Sequence, residues 1–168
     1  QAVLALSRKV ANNPNATTAH RATSNFYIGK ISFDQRDYDN ALTALNEVVR
    51  ISDNEQTAEA RYLIANIYYL KRDLNRAQDL CINANKESSA YPYWVAKSVI
   101  LLSDIFADKG DLYNARAALE ALLENYTEDQ ELINIARTKL AKINQQLNQS
   151  SRLNRDTDSG ILDLNRDN

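Results

Sequence analysis

Arg72-Asp73-Leu74-Asn75-Arg76-Ala77 is the middle copy of a stretch that occurs three times. The first copy is Arg36-Asp37-Tyr38-Asp39-Asn40-Ala41, and the third is Gly110-Asp111-Leu112-Tyr113-Asn114-Ala115. Their alanines are 36 and then 38 residues apart. Self-similarity at a period of about 20–50 residues marks a repeat array. In every copy Arg/Gly-Asp ends one helix and the aspartate caps the next. Tyr38, Leu74 or Leu112 then anchors the new helix, and the alanine lets it approach its neighbour.

Outward from these turns the chain reads as helices throughout. Ala2, Val3, Leu6 and Val10 recur at helical spacing, and Asn12-Asn13-Pro14-Asn15 stops that helix. Helices are expected at about 18–34, 38–51, 55–71, 74–86, 92–109 and 112–124, with Pro92 in a first turn where its missing N–H costs little. Ser88 to Pro92 reads as the longest connection. Thr127 with Gln130 reads as a capping box opening a last helix of about 128–148. No segment alternates with period two long enough to be a strand. Residues 149–168 change composition to Asn, Asp, Arg and Ser, which predicts a disordered polar tail. Its few apolar residues, Leu153 and Ile161-Leu162-Asp163-Leu164, give it a means of docking on the array.

Register on the three alanines brings other rows into line. Twelve residues earlier stand Gly29, Ala65 and Ser103, all small, and four later stand Leu45, Cys81 and Leu119. Small residues facing alanine let two helix axes pack closely within a hairpin. A single hairpin cannot bury its apolar face alone, so neighbours must stack. These rows resemble the tetratricopeptide repeat family, whose consensus has a small residue and an aromatic on the first helix and an alanine on the second. The resemblance covers residues 22–55, 58–91 and 96–129. It departs from the consensus at the row where tryptophan is common, here Asn25, Arg61 and Val99, and the usual late proline is absent from the three complete copies.

The resemblance implies an all-α, right-handed superhelix of antiparallel hairpins, a TPR-like α-solenoid. The expected division is 1–14 as the second helix of an incomplete preceding repeat, then repeats 15–55, 56–91 and 92–127. A capping helix at 128–148 and the tail at 149–168 complete it. No methionine occurs, an initiator included, which predicts a processed or partial chain.

Composition narrows the function. A formal net charge of −2 supplies no general basic field for nucleic acid. No apolar run is long enough for direct membrane insertion. A single cysteine excludes an internal disulfide and leaves the compartment open. Cys81 falls on a packing row and reads as a buried small hydrophobe. The lone histidine, His20, reads as an exposed helix residue. Isolated glycines make no phosphate-cradling loop, and no metal-ligand spacing or catalytic constellation is legible. We therefore expect no enzyme activity, no cofactor and no metal.

In arrays of the resembled family, residues on the first helix of each hairpin that point away from the second line a concave groove. Carried over, that set gives Phe26, Lys30 and Phe33, then Tyr62, Asn66 and Tyr69, then Lys97, Ile100 and Asp104. Its aromatics suit a partner-binding surface. Chaperone-binding members place a carboxylate clamp at positions that here are Phe26, Lys30, Leu63, Lys97 and Leu101. Only Lys97 has the clamp's residue type, so an acidic chaperone tail is not the expected ligand. The implied function is a protein–protein interaction scaffold that takes a peptide, helix or partner domain. The alternatives are a spacer or assembly segment of a larger repeat protein, or a regulatory array of a multidomain enzyme. Tyr91-Pro92-Tyr93-Trp94 reads first as an aromatic plug at the long connection and second as a contact site. The Tyr91–Lys97 run is similar to arrays in bacterial envelope proteins, leaving envelope and cytoplasm both open. The apolar face of the first helix predicts self-association through that end.

Overall fold

The structure, a computed structural model, describes residues 2–164, with side chains through residue 152. Those residues form eight helices: α1 (Ala2–Ala11), α2 (Thr18–Asp34), α3 (Tyr38–Ile51), α4 (Glu55–Leu70), α5 (Leu74–Glu87), α6 (Pro92–Asp108), α7 (Leu112–Asn125) and α8 (Gln130–Leu164). Helices α2/α3, α4/α5 and α6/α7 are the three hairpins, α1 packs on α2, and α8 packs on α7 and reaches α6. First helices also touch in succession, α2 to α4 to α6 to α8. The expected all-α solenoid is therefore the observed architecture.

The core runs as a chain of three clusters rather than as one centre. Phe26 of α2, Leu45 and Val48 of α3 and Ile64 and Ile67 of α4 form the first. Ala65 of α4, Ala77 and Cys81 of α5 and Leu101 and Ile105 of α6 form the second. Ile100 of α6, Leu119 of α7 and Ile133 and Ala136 of α8 belong to the third. Every cluster borrows the first helix of the next unit. This is the physical reason a hairpin needs its neighbour.

The three turns share one geometry. Asp37 N–H donates to Ser32 O at 2.8 Å and Arg36 N–H to Phe33 O at 2.9 Å. The same pair of bonds recurs from Asp73 and Arg72 to Tyr68 and Tyr69, and from Asp111 and Gly110 to Phe106 and Ala107. This is a Schellman closure, which needs a left-handed residue just past the helix. Arg36 (φ 60°), Arg72 (φ 65°) and Gly110 (φ 81°) occupy that position. The next residue then caps the following helix: Asp37, Asp73 and Asp111 accept from the backbone N–H of Asn40, Arg76 and Asn114.

Only glycine adopts that conformation cheaply, since a side chain there costs about 1–2 kcal/mol. Arg36→Gly should therefore stabilise by roughly 0.5–1 kcal/mol, the relief being partly offset by the freer unfolded chain. Gly110→Ala should destabilise by a similar amount. Urea midpoints of the two variants read this directly, and midpoints unchanged in both would contradict the strain argument.

Polar ties fix one unit to the next. Lys71 Nζ lies 3.2 Å from Asp39 Oδ1. One unit on, Lys109 Nζ donates to Asn75 Oδ1 at 2.9 Å and Gln78 Oε1 at 2.6 Å. Arg72 pairs with Asp108 at 2.5 Å. Exposed pairs of this kind contribute at most about 1 kcal/mol each, so they set register more than stability.

Three expectations are corrected. The longest connection is residues 12–17, between α1 and α2, whereas α5 and α6 are joined by residues 88–91 alone. The cap of α8 is Asp129, whose Oδ1 accepts from Leu132 N–H at 2.8 Å, not Thr127. A capping box does occur in the chain, at Asn54 and Thr57. Helix α8 does not end near 148 but continues to Leu164, so the backbone of most of the expected tail is helical. Docking by Leu153 or Ile161-Leu162-Asp163-Leu164 concerns side chains outside the described residues.

Candidate partner-binding groove

Six of the nine carried-over groove residues line one cavity of about 350 Å³: Tyr62, Asn66 and Tyr69 of α4 with Lys97, Ile100 and Asp104 of α6. Successive first helices bring them together, because α4 and α6 pack side by side. The far wall is Asp129 with Glu131, Leu132 and Ile135 of α8, and Tyr93 stands at the edge. The sequence does not assign these five to the groove as long as α8 counts only as a cap. A signal for α8 exists all the same: Leu132 and Ile135 lie three apart at the start of what is structurally a fourth first helix.

Phe26, Lys30 and Phe33 lie outside that cavity. Phe26 is only 4% exposed and sits inside the first core cluster. Phe33 is half-buried with its ring 6.2 Å from Tyr38. Lys30 bridges to Glu59 of α4 at 2.6 Å while standing over the Phe26 ring at 5.3 Å. Phe26, Tyr62 and Ile100 occupy one row of the repeat, 36 and 38 residues apart. That row faces the seam between units, so its members range from core (Phe26, Ile100) to half-buried wall (Tyr62).

The electrostatics of the cavity centre on Lys97. Its ammonium lies 4.9 Å from the Tyr62 ring, 5.6 Å from Trp94 and 5.9 Å from Tyr93. Cation–π attraction of this kind holds the side chain without a carboxylate partner. Trp94 packs edge-on to Tyr93 with centroids 5.1 Å apart and leans on Tyr62 at 5.8 Å. Trp94 is thus half-buried between units, while Tyr93 is 37% exposed at the rim. Asp104 is engaged by Lys139 of α8 at 2.6 Å. Burial pushes the Tyr62 hydroxyl up to about 12 and the Tyr69 hydroxyl, beside Asp108, to about 12 as well. Both phenols are therefore neutral at physiological pH and can donate a hydrogen bond.

Past Tyr69 and Asp104 a second concavity of about 710 Å³ continues between α6 and α8, toward Lys142, Gln146 and Ser150. The concave side is thus aromatic at α4/α6 and polar farther along α8.

No group of acids, histidine and cysteine among the described residues is arranged to hold a metal. Among those residues no helix is long and apolar enough to cross a membrane. His20 is exposed in the first turn of α2. The Cys81 thiol is fully buried, and burial raises its pKa to about 12, which leaves it inert.

This arrangement defines a helical-repeat array with a concave side built from its first helices. Its fold is that of tetratricopeptide-like solenoids. The family model described as anaphase-promoting complex, cyclosome, subunit 3 matches residues 34–105. Among solved structures, the N-terminal domain of stress-induced protein-1 (STI-1) from C. elegans superposes with a TM-score of 0.61 at 16% identity, covering 74% of this chain and 98% of that one. The crystal structure of MamA superposes with a TM-score of 0.57 at 18% identity, covering 89% of each chain. At these identities the likeness is one of fold. No curated protein matches the chain in sequence.

Proposed function

We propose that the chain is a non-catalytic protein-interaction module whose concave side receives a peptide, helix or partner domain. The observation that carries this reading is the cavity shared by α4, α6 and α8, with aromatic walls and a lysine held in place by three rings. Aromatic side chains in a concave, partly desolvated setting are where interface energy concentrates. The matching family model supports the reading, since its description is that of a subunit of a complex. Asn66, Tyr69 and Lys97 offer polar groups for orientation, and Ile100 and Leu132 offer the apolar floor.

The test is affinity capture with a photo-crosslinking residue at position 66 or 69, against one at exposed Ile82 on α5. Crosslinks confined to 66 and 69 are expected, and Tyr69→Ala should weaken capture by roughly tenfold or more, the loss typical of an interface anchor. Capture unaffected by Tyr69→Ala, with crosslinks at Ile82, would favour a spacer or assembly role instead.

A second reading, self-association, is supported at the other end of the molecule. Val3 is 56% and Leu6 64% exposed on α1, leaving an apolar strip uncovered. Val3→Ser/Leu6→Ser should abolish any concentration-dependent dimer seen by sedimentation. A monomer at all concentrations would remove this reading.

A further inference from the structure

Helices alternate in role along the chain. α3, α5 and α7 are second helices, each packed on its own first helix and on the first helix that follows. α1 packs on α2 as these pack on the helix after them. It therefore holds a second-helix place, with no first helix on its other side among the described residues. α8 is the converse. Ala136 and Ile143 stand 38 residues after Ser98 and Ile105 and are buried like them, which puts α8 in first-helix register. Asn148-Gln149 stands 38 residues after the Gly110-Asp111 turn, but there α8 runs on without turning. Among the described residues no second helix folds back on it, and it packs on α7 and α6 alone.

The rows of the repeat measure what each end leaves uncovered. Ala41, Ala77 and Ala115 are fully buried, as are Leu45, Cys81 and Leu119 four residues later. Ala2 and Leu6 have the same spacing on α1, yet both are exposed, Leu6 by 64%. Tyr27 of α2 is 45% exposed, whereas its row-mates Leu63 and Leu101 are 8% and 5% exposed because the preceding unit covers them. At the other end Ala141 falls on the small-residue row of Gly29, Ala65 and Ser103. Those three are buried where a second helix meets them, Gly29 directly against Leu45 of α3, but Ala141 is exposed. Arg137 and Asn144 on the same face of α8 match Asn25 and Ser32 of α2, and α2 packs α3 there all the same. The polar side chains of α8 thus leave room for a helix.

We propose that these two surfaces form one interface: α1 of a second copy packs on α8, making a composite hairpin that continues the array head to tail. The inference rests on the self-association reading and gives the α1 strip its counterpart. The order of units then runs through α6/α7, α8 with the second copy's α1, and the second copy's α2/α3, with the alternation unbroken. Ala2 meets Ala141 as Ala77 meets Ala65 within one cluster. Since first helices touch in succession, the same α8 also covers Tyr27. A contact between two different surfaces does not close on itself, so association is open-ended.

The test is sedimentation velocity over a concentration series. The unmodified chain should form species larger than a dimer as concentration rises. Val3→Ser/Leu6→Ser disables the α1 surface and Ala141→Arg the α8 surface. All three positions are exposed, so both variants should melt as the parent does. Each alone should stay monomeric to at least about tenfold above the parent's midpoint concentration, the loss typical of an interface anchor. Mixed in equal amounts, they should restore a complex that stops at the dimer, since one intact surface of each kind remains. Association of Ala141→Arg like the parent, with Val3→Ser/Leu6→Ser monomeric, would overturn the head-to-tail contact and leave α1 pairing with α1. A parent that stops at the dimer, or a mixture that stays monomeric, would overturn it too. A parent monomeric at every concentration would remove both the inference and the self-association reading beneath it.

Discussion

Ala77→Leu is expected to lower the melting temperature by about 2–12 °C. That range follows from about 1–3 kcal/mol for overpacking a filled site and about 2–4 °C per kcal/mol at this chain length. Ala77 and Ala65 are both fully buried in the cluster that joins α4, α5 and α6. A leucine at 77 has no open space to enter, so α5 must move off α4. The displacement then reaches Leu101 and Ile105, which pack on the same cluster. Lys71→Gln is the matched control. It removes only an exposed pair with Asp39 and should cost well under about 1 kcal/mol. Equal melting of the two variants would show that the alanine row is not where the helices meet.

That register is legible because each turn makes the same demand at the same place. A left-handed residue followed by a capping aspartate is a local requirement, and the chain states it three times. Alanine six residues into the stretch then fixes which face of the second helix meets the first. Ser103 obeys the same rule while being polar: its hydroxyl donates to Ile100 O of its own helix at 2.7 Å, so it packs as a small residue.

The features that sequence alone does not reveal are those decided by competition or by tertiary company. Thr127 and Gln130 satisfy the capping-box pattern, but Asp129 stands directly before the helix and its carboxylate reaches Leu132 N–H first. Asn54 and Thr57 form a reciprocal box in which threonine takes the place usually held by Glu or Gln. Phe26 sits in a row that reads as concave from spacing alone. In the structure α4 closes over it and it becomes core, whereas Tyr62 in the same row keeps a half-exposed edge. The polar composition after residue 148 argues against a packed core there, yet a helix satisfies its backbone hydrogen bonds within itself and needs no core to continue.

Gly29→Ala and Leu45→Ala should couple strongly, and the sign of the first should depend on the second. A methyl group placed on Gly29 would lie 2.6 Å from both Cγ and Cδ2 of Leu45. Leu45 is fully buried, so its branch point cannot swing away. Alanine at 29 gains up to about 1 kcal/mol of helix propensity, but overpacking typically costs about 1–3 kcal/mol, so the single variant should be destabilised on balance. Leu45→Ala alone should lose about 2–5 kcal/mol, as large-to-small core changes do. In the Leu45→Ala background the clash is absent and the space beside position 29 is empty. There Gly29→Ala should become stabilising, by roughly 0.5–1 kcal/mol from propensity plus whatever the methyl group recovers of the cavity. A double-mutant cycle in urea measures this as an interaction energy on the order of 1–3 kcal/mol. Additive effects would mean that α2 and α3 do not approach most closely at Gly29, and that the first hairpin is built differently from the other two.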